Sequence, residues 1–124
     1  MRMKKVMFFT EKEEEFAQLL IEIGTKKNIA NVLVYLANIR EAASRDIERG
    51  TDLRQPEVSI ALRYLTDQGW IASREDKAPG KGRPIKIYRL TKPVGEIMDT
   101  IEKDKREEAE KRLQHLKKLR DYLP

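Results

Sequence analysis

The chain has 124 residues, no cysteine and one histidine, so it holds one compact core with an appendage, and no disulfide framework or zinc cage of thiolates or imidazoles is open to it. Hydrophobic residues make up 40% and charged residues 38%, which predicts a folded domain with a heavily solvated surface. The formal net charge is +5, and the excess is local: residues 54–93 carry 9 basic and 4 acidic groups, while residues 1–26, 27–53 and 94–124 are balanced at 5 and 5, 4 and 4, and 8 and 8. An imbalance confined to one third of a chain predicts a polyanionic partner at that face.

Val6 to Phe9 are too few apolar residues for the core of a secretory leader, and no segment approaches the roughly 20 that span a bilayer, so a cytoplasmic protein without membrane contact is expected. Thr10 and Glu13 have the spacing of a capping box and start a helix at Glu11. Phe16, Leu19, Leu20 and Ile23 fall on one stripe of it, and Gly24 supplies a left-handed stop. Glu13 to Glu15 lie in its first turns, where carboxylates suit the helix dipole. From Asn28 to about Arg40 the residues are apolar nearly all round, the mark of a central helix. Ser44 is the expected cap of a short helix through Asp46, Ile47 and Glu48, ending at Gly50, and Gly50 to Leu53 is expected to be a turn.

Pro56 suits the first position of the following helix, whose stripe is Val58, Ala61, Leu62 and Leu65 and whose stop is Gly69. The other face carries Gln55, Glu57, Ser59, Ile60 and Arg63. Trp70–Glu75 and Ile85–Leu90 read as strands, with a basic tip between them from Asp76 to Pro84. Lys92–Asp121 contains no proline and reads as one helix of about 30 residues, roughly 45 Å long. Its apolar seam opens at Val94, Ile97, Met98 and Ile101, lapses from Glu102 to Glu108, and resumes at Leu113, Leu116, Leu119 and Leu123. Those leucines call for a partner, and a homodimer is expected.

Ser44 to Leu65 has the spacing of a helix-turn-helix, whose second helix presents its outer face to a DNA major groove about 12 Å wide. The run from Gln55 to Ile71, of the form Val-Ser-x-x-Leu-x-x-Leu-x-x-x-Gly-x-Ile, is followed by Gly82-Arg83-Pro84-Ile85-Lys86-Ile87-Tyr88-Arg89-Leu90-Thr91. Together they resemble the recognition helix and wing of winged helix-turn-helix transcription regulators of the ArsR/MarR type, notably archaeal members. The resemblance covers roughly residues 27–93. It implies a mainly α fold with a small β-hairpin wing, an N-terminal helix (1–26) that joins the dimer interface, a DNA-binding domain (27–91) and a dimerising C-terminal helix (92–124). It also implies groove contacts by Gln55, Glu57, Ser59 and Arg63 and wing-tip contacts by Lys81 and Arg83. Side-chain chemistry agrees: Gln bonds adenine, Glu accepts from cytosine N4, and an exposed Ile60 suits a thymine methyl. Arg54, Arg63, Lys77, Lys81, Arg83 and Lys86 suit the phosphate backbone. The dimerising residues are expected to be Phe16, Leu20, Ile97, Ile101, Leu113, Leu116, Leu119 and Leu123.

The sequence departs from the metal-sensing ArsR pattern, since it lacks thiolates and has only His115, which reads as an ordinary helix residue; no metal or cofactor is expected. Gly80 and Gly82 lack the strand-before, helix-after setting of a phosphate loop and read as hairpin flexibility. No serine or threonine has a base at readable spacing, so an enzyme is not expected. The expected activity is that of a sequence-specific double-stranded DNA binder, a repressor acting by promoter occlusion. Two alternatives stand beside it: a winged-helix protein-interaction module, and a ligand-responsive sensor, for whose small-molecule effector the residues offer no pocket beyond Trp70 and Tyr88, themselves read as wing core.

Overall fold

The computed structural model describes residues 10–77 and 82–124. The elements run α1 (Glu11–Glu22), α2 (Lys27–Asn38), β1 (Ala42–Ala43), α3 (Ser44–Thr51), α4 (Gln55–Asp67), β2 (Ile71–Lys77), β3 (Pro84–Leu90) and α5 (Val94–Asp121). The chain divides into two compact units, one ending at Pro93 and the other from Val94 to Pro124. The reading of Val6–Phe9 lies outside the described residues.

In the first unit, α1 begins with the expected capping box: Thr10 N–H donates to Glu13 Oε1 at 2.8 Å, and Glu13 N–H to Thr10 Oγ1 at 3.2 Å. Gly24, at φ 109°, turns the chain into α2. Every residue of α2 from Ile29 to Leu36 is buried, which is why its apolar residues run all round. α1, α3 and α4 each pack against it. Leu33, Ile47, Val58 and Leu65 are wholly buried, each worth about 1.5–3 kcal/mol of transfer free energy.

α3 differs from its expected form. It is entered from Ala43, not capped by the Ser44 hydroxyl, and the Asp46 carboxylate accepts the Ala43 N–H at 3.3 Å. It does not end at Gly50, which is buried inside the helix. An added Cβ there would stand 2.8 Å from both Cδ1 and Cζ of Tyr35, so this glycine lets α3 approach α2. The left-handed residue is Asp52, at φ 57° and ψ 36°. Aspartate tolerates that region where larger side chains do not.

The sheet has one strand more than the sequence pattern reveals. Its order is β1-β3-β2 and all pairs are antiparallel, with Ala42 opposite Tyr88 and Ala43 opposite Ile87. β2 and β3 form a hairpin in register from Ile71 opposite Leu90 to Lys77 opposite Pro84. Gly69, at φ 80°, ends the α4 turn, and Thr91 closes the base of the hairpin through Thr91 N–H to Trp70 O at 2.9 Å and Thr91 Oγ1 to Gly69 O at 2.7 Å.

The second unit is α5, 28 residues or roughly 42 Å long. Ile97 and Ile101 are buried and Met98 is half-buried, whereas every residue from Arg106 onward is exposed. Among the described residues no helix is long and apolar enough to cross a membrane.

Candidate nucleic-acid interface

α4 is built to hold one face inward and offer the other. Pro56 stands in its first turn, and Glu57 closes the start by accepting the Arg54 N–H on Oε1 at 2.9 Å. Asn28, at the start of α2, donates from Nδ2 to Glu57 O at 3.0 Å and so ties the first turns of α2 and α4 together. The α3–α4 turn is fixed by Leu53 N–H to Glu48 O at 3.3 Å and by the buried Thr51 hydroxyl, which donates to Ile47 O at 2.6 Å. With Val58, Ala61, Leu62 and Leu65 buried, helical periodicity turns the opposite side to solvent.

That outer side carries the expected residues. Gln55, Ser59 and Arg63 lie at i, i+4 and i+8 in one row, all exposed, with Gln55 Nε2 and Ser59 Oγ 3.4 Å apart. Ile60 stands beside them at 61% exposure. Arg54 is exposed at the helix start. Glu57 is partly committed, because one carboxylate oxygen already serves as the cap.

The hairpin supplies the remaining cations. Lys77, Arg83 and Lys86 are exposed, and Lys86 faces Glu75 across the ladder. Lys81, expected at the wing tip, lies outside the described residues. Arg74, counted in the basic excess, is engaged within the fold: it meets Glu41 at 2.7 Å and Asp76 at 3.5 Å. Its hydrogen bond to Glu41 holds that carboxyl below the ordinary carboxylate range and pushes the guanidinium up. The pair joins the segment leading into β1 to β2, across β3.

Tyr64 was not singled out by the sequence. It lies four residues beyond Ile60, is 40% exposed, and meets the buried Trp70 edge to face at 6.3 Å between centroids and 76° between planes. The spacing from Ile60 was the available signal. Trp70 is buried, in keeping with a wing-core residue.

The residues expected to dimerise divide into two groups. Leu20, Ile97 and Ile101 are buried, at 3%, 0% and 8% exposure. Helical stripes in a sequence do not distinguish a residue covered by its own chain from one covered by another. Leu113, Leu116, Leu119 and Leu123 are exposed, and Phe16 is half-buried beside the exposed Leu19 and Ile23. His115 is exposed on α5, and among the described residues no three His, Asp or Glu side chains gather as a metal set.

No protein-family model matches the sequence, and no curated protein does. Solved structures do match the fold. A possible transcriptional regulator from Methanosarcina mazei Go1 aligns over 81% of this chain and 83% of its own, at 19% identity and a TM-score of 0.61. TrmBL2, an archaeal chromatin protein, aligns over 89% of this chain but 40% of its own, at 20% identity and a TM-score of 0.59, so this chain spans about two fifths of its length. NMB1585, a MarR family regulator from Neisseria meningitidis, aligns over 87% of this chain and 84% of its own, at 18% identity and a TM-score of 0.52. At such identities the correspondence is one of architecture, and the fold of this chain is a winged helix-turn-helix, a helix-turn-helix followed by a β-hairpin wing and, in sequence, a long terminal helix.

Proposed function

We propose that this protein is a sequence-specific double-stranded DNA-binding transcription regulator that works as a homodimer and represses by occluding promoters. The observation that carries the reading is the outer face of α4, where Gln55, Ser59, Ile60 and Arg63 stand exposed at the edge of the cationic 54–93 segment. Gln55 and Ser59 offer hydrogen bonds to base edges and Ile60 an apolar contact to a thymine methyl. Arg54, Arg63, Lys77, Lys81, Arg83 and Lys86 grip phosphates and set the register without reading sequence. Glu57 acts chiefly on the protein itself, holding the start of the reading helix. TrmBL2, which shares the fold at 20% identity, binds DNA, and this supports the same reading.

A two-fold pair of such helices enters successive major grooves about 34 Å apart, and its site is an inverted repeat. Repression then needs no chemistry, only occupancy. The test is selection of bound duplexes from a random pool. Enrichment of an inverted repeat with half-sites about one helical turn apart is the expected result. Recovery of an unenriched pool would refute sequence-specific binding.

A further inference from the structure

The outer face of α4 has Ile60 near its middle and a hydrogen-bond donor on either side. Successive helix residues turn by about 100°, so Arg63 and Tyr64 fall on opposite sides of Ile60. Of the residues in α4 only Arg63 is cationic, and the Tyr64 side, shared with Glu57, has no positive charge of its own. Tyr64 stays 40% exposed although its ring meets the buried Trp70 edge to face. Among the described residues its hydroxyl has no hydrogen-bond partner. Trp70 directly precedes β2, and its carbonyl receives the Thr91 N–H that closes the hairpin base. The tyrosine is therefore a free donor on a ring held where α4 meets the wing.

We propose that the Tyr64 hydroxyl donates to a backbone phosphate of the DNA, on the strand opposite the one that Arg63 grips. The proposal rests on the DNA-binding reading and adds an anchor that the basic residues do not supply. A helix about 10–12 Å across fills a major groove about 12 Å wide, so with Ile60 toward the base edges its two sides face the two phosphate walls. Arg63 brings a full charge to one wall. The other is met by a neutral O–H, for which a phosphate oxygen is a strong acceptor. A phosphate is favoured over a base because Tyr64 lies late in α4, whereas the N-terminal residues of a reading helix reach the base edges. A ring already packed on Trp70 also loses little freedom on binding.

The test is Tyr64→Phe in the full chain, which removes the hydroxyl and keeps the ring on Trp70, so urea unfolding is expected to match the wild type. Affinity for the duplex selected from the random pool is expected to fall about tenfold for each copy bound. The factor should be the same on single-base variants of that duplex, because a phosphate contact carries no sequence information. The slope of log K against log salt should not change, since a phenol displaces no counterion, in contrast to Arg63→Ala. Neutral methylphosphonates placed singly along the duplex then locate the partner: at one position in each half-site the wild type loses affinity and Tyr64→Phe loses clearly less. Wild-type affinity in Tyr64→Phe, a loss that varies with the base sequence, or equal losses of both proteins at every methylphosphonate would overturn the contact and leave DNA binding intact. A wild-type chain that selects no duplex overturns the DNA-binding reading and the contact with it.

Discussion

Gly50 looks like a helix stop in the sequence and turns out to be a point of contact. The Tyr35 ring occupies the space where a Cβ would stand, and Tyr35 is itself buried, which pushes its phenol above the ordinary value. Gly50→Ala gains up to about 1 kcal/mol of helix propensity but overpacks a filled site at about 1–3 kcal/mol, so a net loss of stability is expected. Urea denaturation measures it, and the loss should shrink in a Tyr35→Ala background if the ring is the cause. No local pattern announces a neighbour fifteen residues away, and so this role was hidden. Arg63 is the opposite case, since its place on the outer row follows from the i, i+4, i+8 spacing alone. Arg63→Ala is expected to weaken duplex binding by about 1–3 kcal/mol with unfolding unchanged. It should also reduce the slope of log K against log salt by about 1 for each copy bound. An unaltered slope would mean that the guanidinium meets no phosphate.

α1 and α4 were legible because each carries a periodic apolar stripe with a recognisable cap or stop, as Thr10, Glu13 and Gly69 illustrate, while α2 showed as a run apolar nearly all round and α5 as a long stretch without proline. β1 was not, since two alanines have no period and become a strand only through pairing with Tyr88 and Ile87. The Glu41–Arg74 pair that braces this narrow sheet was equally silent, being set by register across β3. Its pH behaviour has a definite sign. The folded-state pKa of Glu41 is lowered, so its contribution is present above the unfolded value and is lost as pH falls through the folded one. Hydrogen exchange at Ala42 is therefore expected to quicken relative to the α2 amides as acid is added through the carboxylate range. Glu41→Gln should remove that pH dependence, and its persistence would assign the effect to another carboxylate.

At the scale of the molecule, the sequence displayed the outer face of α4 more plainly than which residues of α1 and α5 are buried. Amphipathic arithmetic separates inside from outside for α4, whose Ile60 and Arg63 proved exposed as expected. It says only that a stripe is apolar for α1 and α5, where Leu20, Ile97 and Ile101 are buried while Leu19 and Ile23 are exposed. Within the first unit one small bond joins two helix starts. α1 packs along α2, and the first turn of α2 reaches through the Asn28 amide to the first turn of α4. The start of the helix that carries α1 is thus tied to the start of α4.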